Sequence, residues 1–339
     1  MKIRYWRRER CGKESYDSED FYTISKKKNK QKHYNVNAYD MKKNKYVFVL
    51  ILLAAITLIS GLLTNVYVNR SGSKQNDHAL TVVTSFYPMY IATRNVIGDA
   101  EGVHLQNLSE PQTGCLHDFQ LTPEDMKLLS GADVFVINGG GIESFMKDVA
   151  KSYPDLTIIE ASKDIDLLED EGEENAHAWM SVATYEQQVA NIADGLAAAD
   201  REHSALYQEN ADAYKDKLDA LKVRQQAIAE KAKGQSVILF HEAYDYVASD
   251  YGLNVAYILD LDEERQVSAG EVADVLAAVR DDGVKYILAE ELYGKSMGDT
   301  VEKETDAKVI YLDALNRGDY DADSYIEGMS ANIDLMEKY

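Results

Sequence analysis

Cysteine is scarce in this chain: of 339 residues only Cys11 and Cys115 are cysteine. An apolar segment separates them and would put them on opposite sides of a membrane. That excludes a disulfide between them, and with it any disulfide framework. Positive charge is scarce too beyond residue 45, where 22 Lys/Arg stand against 52 Asp/Glu. A body of net charge −30 lacks the basic face that nucleic-acid binding requires. It suits the attraction of cations, although most surface acids serve only solubility. Two catalytic signatures are also incomplete. His241-Glu242 has Asp245, not histidine, four residues on, which excludes the zinc-protease helix. Gly139-Gly140-Gly141 lacks the Gly-Lys-Ser/Thr ending of a phosphate cradle and reads as a tight turn. The acidic run from Asp164 to Glu174 holds no histidine and reads as a solvated loop.

The N-terminal 45 residues reverse the charge, with 14 Lys/Arg against 6 Asp/Glu. They are polar, tyrosine-rich and without periodicity, the composition of a disordered tail. Residues 46–68 carry no charge and are long enough for a bilayer, which takes about 20 apolar residues. Lys42, Lys43 and Lys45 precede them, so the positive-inside rule puts the tail in the cytoplasm and the body outside. The expectation is a transmembrane anchor over 46–68. The alternative is a cleaved signal, for which Met41-Lys42-Lys43-Asn44-Lys45 is a suitable start. Residues 69–78 form a polar linker.

The remainder alternates strands with helices, which predicts parallel α/β sheets. A first lobe, 79–198, has strands over 80–85, 103–108, 134–137 and 156–160. Its helices fall over 89–98, from Pro123 to a stop at Gly131, from 142 to about 151, and over 182–198. A linking helix within 199–233 is rich in Ala, Glu, Lys, Leu and Gln, with Tyr214, Leu218, Leu221 and Ile228 as its apolar stripe. About 30 residues at 1.5 Å each span about 45 Å, enough to cross a two-lobed protein. A second lobe, 234–339, has strands over 236–240, 254–259, 286–289 and 308–312. Helices follow at 242–253, after a Ser268/Glu271 capping box, and over 321–337. Ligands of such sheets bind at the C-terminal ends of the strands. His117 lies on a loop ahead of a helix, His177 beside Trp179, and His241 and Asp313 at strand ends. Spacing alone makes none of them a ligand.

Several segments resemble the substrate-binding proteins of zinc and manganese ABC importers, the cluster A-I family. They are His117 before Thr122-Pro123, Ala132-Asp133 before an apolar strand and Asn138-Gly139-Gly140-Gly141-Ile142-Glu143, then His177-Ala178-Trp179. Phe240-His241-Glu242-Ala243-Tyr244-Asp245-Tyr246 and Leu312-Asp313-Ala314-Leu315 complete the set. Ala314 replaces the family's proline, and the lipobox cysteine of bacterial relatives is missing. The resemblance covers roughly residues 80–339. It implies two parallel-sheet lobes joined by one long helix, with stiff and small domain motion. It implies metal ligands His117, His177, His241 and Asp313, an ABC permease as partner, a monomer, and no catalysis. Three imidazoles and one carboxylate suit tetrahedral Zn²⁺ as cargo. Mn²⁺ is the alternative, although a manganese site would more often carry a carboxylate in place of His241. The expected location is the extracytoplasmic face of the membrane, with secretion after signal cleavage as alternative. Two other functions stay open: a zinc hydrolase using Glu242 or Glu290 as base, and a surface adhesin. Cys115 is expected as a small buried thiol and Glu290 as a residue orienting a histidine. His33, His78, His104 and His203 are expected to be solvated.

Overall fold

The computed structural model describes residues 49–60, 79–110, 119–170, 172–261 and 265–338. Residues 49–60 form helix α1. Among the described residues, no helix is long and apolar enough to cross a membrane. The expected anchor is described over those twelve positions only, and the tail and linker lie outside the described residues.

The second unit, residues 76–339, contains two four-stranded sheets. In the first lobe, β1 (Leu80–Thr84), β2 (Val103–Asn107), β3 (Val134–Ile137) and β4 (Thr157–Glu160) pair in the order β2-β1-β3-β4. All three pairings are parallel, with α2 (Tyr87–Ile97), α3 (Pro123–Ser130) and α4 (Met146–Ser152) as crossovers. Val134 to Ile137 are buried throughout, as expected for a strand covered on both faces. Helix α3 starts where the sequence places it. Thr122 Oγ1 accepts from Asp125 N–H, Asp125 accepts from Thr122 N–H, and Pro123 follows the cap.

Residues 164–174 are not simply a solvated loop. Glu169–Asp170 (β5) and Glu173–Glu174 (β6) pair antiparallel. Tyr246 anchors their base: its hydroxyl accepts from Leu168 N–H at 3.1 Å and donates to the Asn175 carbonyl at 2.7 Å.

Helices α5 (Val182–Ala199) and α6 (Ser204–Ala232) connect the lobes. Tyr207, Ala211, Tyr214, Leu218, Leu221, Gln225 and Ile228 form the buried stripe of α6, the spacing of a single helix face. His203, expected to be solvated, instead closes the α5–α6 corner. Its Nδ1 lies 2.7 Å from Asp200 Oδ2, which also accepts from Tyr207 Oη at 2.7 Å.

The second sheet comprises β7 (Ser236–Leu239), β8 (Asn254–Ile258), β9 (Tyr286–Ala289) and β10 (Lys308–Tyr311). Its order is β10-β9-β7-β8, all parallel. Helices α7 (Tyr244–Asp250), α8 (Ala269–Asp281), α9 (Glu291–Glu304) and α10 (Ser324–Glu337) complete it. The Ser268/Glu271 capping box is present. Helix α9 is not anticipated from the sequence. Helices α4 and α7 begin later than expected, because the Glu143 side chain folds back onto its own loop and the 241–245 segment turns through i→i+3 bonds.

Strand order fixes where a ligand can sit. In the first sheet the order reverses between β1 and β3, and in the second between β7 and β9. Such switch points open a crevice at the carboxyl ends of the strands.

Candidate metal centre

Two of the expected ligands meet. His177 and His241 are buried, with 0% and 1% of their surface exposed. Their ring centroids lie 4.9 Å apart, edge to face. His177 comes from the segment between the acidic hairpin and α5. His241 follows β7 at the second switch point. The pair therefore draws one histidine from each lobe.

Asn175 orients the His177 ring. Its Oδ1 lies 2.9 Å from His177 Nδ1 and accepts from His177 N–H at 3.1 Å. Its Nδ2 donates to the Glu242 carbonyl at 3.0 Å, which fixes which end of the amide faces the ring. An amide oxygen only accepts, so His177 Nδ1 carries the proton in this contact. Glu242 Oε1, 3.4 Å from the same Nδ1, reinforces that tautomer. Glu242 and Asn175 thus bear on the same ring nitrogen, as orienting partners would.

Asp313 leaves β10 on a backbone pinned by the other two segments. The Leu312 carbonyl accepts from Tyr244 Oη at 2.8 Å, three residues beyond His241. The Ala314 carbonyl accepts from Trp179 Nε1 at 2.9 Å, two residues beyond His177. Asn332 adds a bond on each side of the Asp313 peptide, both 2.8 Å. The Asp313 carboxylate accepts from Leu315 N–H at 2.8 Å. Its surface is open to solvent. Burial against the surrounding protein still raises its pKa from the ordinary value, opposed by the Leu315 N–H and the Arg317 charge.

Among the described residues, no three His, Cys, Asp or Glu side chains gather tightly enough to hold a metal ion. Asp313 does not close a set with the two rings. His117 and Cys115, both singled out in the sequence, lie outside the described residues. Glu290, with 9% of its surface exposed, is ion-paired to Arg317 at 3.2 Å.

The first switch point holds a residue whose role the sequence does not reveal. Glu143 ends the Asn-Gly-Gly-Gly-Ile-Glu run and turns back under it. Its carboxylate accepts from Ser85 Oγ at 2.8 Å, Asn138 N–H at 2.7 Å and Gly139 N–H at 3.1 Å. Burial raises its pKa to about 7, against the pull of those three donors. Asn138 in turn donates to the Ala176 carbonyl at 2.8 Å, next to His177. A run of small residues ending in an acid signals a turn, but not the direction in which the acid folds.

Two parallel α/β lobes, spanned by a long helix and meeting at a buried histidine pair, define a two-lobed substrate-binding protein. The chain belongs to the family of the zinc-uptake complex component A, periplasmic, whose profile matches residues 82–339. It is similar to the high-affinity zinc uptake system protein ZnuA of Bacillus subtilis (strain 168). The two are 29% identical, with 85% of this chain and 96% of that protein covered. The manganese-binding lipoprotein MntA of Halalkalibacterium halodurans is 26% identical over 87% of this chain and 98% of its own length. Among solved structures, the substrate-binding protein FpvC of Pseudomonas aeruginosa in complex with Mn²⁺ superposes with a TM-score of 0.69. It is 27% identical over 77% of this chain and 98% of its own.

Proposed function

We propose that the protein captures Zn²⁺ between its lobes through His117, His177, His241 and Asp313 and delivers it to an ABC permease. The observation that carries this reading is the buried His177–His241 pair, with Asn175 setting the tautomer of the first ring. A buried imidazole whose Nδ1 is held in place by a side-chain partner is how a protein orients a metal ligand. The structure itself groups no three such side chains among the described residues. The full set is therefore carried by the family's ligand positions. Zinc is favoured over manganese because three imidazoles and one carboxylate form a nitrogen-rich, four-coordinate set. The metal is cargo, and the family's members are binding proteins, not enzymes. The site faces the outside of the cell, and residues 46–68 tether the chain to the membrane, with 79–198 and 234–339 as the two metal-binding lobes. The protein acts as a monomer.

Metal content and competitive titration of the purified protein, wild type beside His241→Ala, test this reading. One tight equivalent of zinc, lost in the variant, is expected. Tight manganese with weak zinc would keep the transport reading and change the cargo. No tight metal at all would end it. Fractionation of cells tests the tether: full-length protein in the soluble fraction alone would remove the anchor. A deletion strain that grows normally on limiting zinc but loses attachment to surfaces would favour the adhesin alternative.

A further inference from the structure

Glu290 follows the strand that lies between those leading to His241 and Asp313. Leu239 pairs with Leu288, and Phe240 N–H donates to the Leu288 carbonyl at 2.8 Å. The next residues along, His241 and Glu290, are therefore neighbours on adjacent strand ends. On the other side Tyr311 pairs with Ala289, and Leu312 N–H donates to the Ala289 carbonyl at 2.9 Å. That sets Leu312 beside Glu290, with Asp313 one residue further. Glu290 thus leaves the middle strand between the one bearing His241 and the one bearing Asp313. Its carboxylate engages Arg317 Nη2 at 3.2 Å. The guanidinium lies over the Tyr293 ring, 5.8 Å from its centroid, and Arg317 Nε donates to Asn316 Oδ1 at 3.2 Å.

We infer that Arg317 is a specificity residue: it holds the Glu290 carboxylate out of the metal's coordination shell, so that the site favours Zn²⁺ over Mn²⁺. The inference rests on the metal-capture reading above and goes beyond it. Manganese prefers oxygen-rich, six-coordinate sites, whereas zinc is satisfied by four ligands rich in nitrogen. A second carboxylate between His241 and Asp313 would shift the set toward manganese. Arg317 prevents this by pairing with it, and a guanidinium never deprotonates in a protein, so pH does not release the clamp. Removing Arg317 takes one ion-pair partner away from a nearly buried carboxylate, which is unfavourable. A divalent cation within reach would relieve it.

The test is competitive titration of zinc and manganese on the whole protein, with variants Arg317→Met, Arg317→Lys, Glu290→Gln and the double variant Arg317→Met/Glu290→Gln. Arg317→Met is expected to move the manganese-to-zinc affinity ratio toward manganese by about tenfold or more, equivalent to about 1.4 kcal/mol. Arg317→Lys holds the wild-type ratio, and so does Glu290→Gln, because Glu290 is not a ligand while clamped. The double variant returns to the wild-type ratio, since the gain acts through Glu290. Bound Co²⁺ gives a readout that a structural defect would not move. Its intense four-coordinate visible bands should weaken in Arg317→Met and recover in the double variant. An unchanged ratio in folded Arg317→Met, or a shift that survives in the double variant, overturns the inference. If Arg317→Met does not fold, Glu290→Gln decides. A ratio moved tenfold by that variant alone would make Glu290 a ligand of the wild type and refute the clamp. A wild type that binds neither metal would instead defeat the metal-capture reading.

Discussion

Tyr244→Phe isolates one bond on which the position of Asp313 depends. Tyr244 is fully buried, and its hydroxyl donates to the Leu312 carbonyl, itself buried, at 2.8 Å. The ring also stands edge-on to His241 at 6.0 Å between centroids, and phenylalanine keeps that contact. The substitution therefore deletes one oxygen and leaves a buried carbonyl without this donor, which costs about 1–3 kcal/mol. For a domain of this size 1 kcal/mol corresponds to roughly 2–4 °C in melting temperature, so metal-free Tyr244→Phe should melt several degrees below wild type. The second readout is metal affinity. Asp313 follows Leu312 directly, so part of the loss reappears as weaker binding, by up to about tenfold for 1.4 kcal/mol. Thermal melts of the metal-free protein and competitive zinc titration measure the two. If the variant matches wild type in both, the bond does not hold the Asp313 loop and the geometric reading of that ligand is wrong.

Asn175→Ala removes the acceptor that fixes the His177 tautomer; loss of such an outer partner should weaken zinc binding by about 10–100-fold, read by the same titration. Gly140→Ala should destabilise more than Gly141→Ala. Both have φ in the left-handed region, at +62° and +84°, but only at Gly140 would a Cβ meet a neighbour, Leu167 at 2.9 Å and the Ala176 backbone at 3.1 Å. Urea denaturation of the two side by side gives the difference, and equal losses would refute the contact. For Glu143 the folded pKa, about 7, lies above the ordinary 4.5. Its contribution to stability is therefore full below pH 4.5 and lost as pH rises through 7. At about 1.4 kcal/mol per unit this amounts to roughly 3 kcal/mol, and Glu143→Gln should flatten the slope of metal-free stability between pH 5 and 8. Zinc affinity should fall as pH drops toward the histidine range, because ligation needs neutral imidazoles; a titration flat down to pH 5 would contradict histidine ligands.

Local signals carry much of this fold. Thr122-Pro123, the Ser268/Glu271 box and the spacing of Tyr214, Leu218, Leu221 and Ile228 each specify a helix or its start through neighbours in the chain, and each is found as expected. Helix α9 escaped because Gly294 and Gly298 weaken its pattern. They are there for packing, not for flexibility: a Cβ at Gly294 would come within 2.9 Å of Ala289 on β9, and one at Gly298 would collide with Tyr311 on β10. Strand order is a long-range property that the alternating pattern leaves open, so the neighbours of His241 could not be read from the chain. The same holds for the bonds that tune the site. Asn175 to His177 is local but ambiguous, since an asparagine before a histidine has many partners. Trp179 to Ala314 and Arg317 to Glu290 join residues 135 and 27 positions apart.

Those long-range bonds bear on how the lobes can move. The loop after Asp313 belongs by connectivity to the second lobe, yet it is bound to the first. Asn95 Nδ2 donates to the Ala322 carbonyl at 2.8 Å, Asn107 Nδ2 to Tyr320 Oη at 2.8 Å, and the Tyr90 and Tyr320 rings lie 4.0 Å apart. Trp179 adds its bond to Ala314. A hinge that carried the second sheet away from the first would have to break all of these or leave Asp313 behind with the first lobe. The buried face of α6 resists the same opening, because α2, α5 and α10 all pack against it. Small local displacements of the segments that bear His177, His241 and Asp313 require neither loss. Local displacement is therefore the motion this architecture favours.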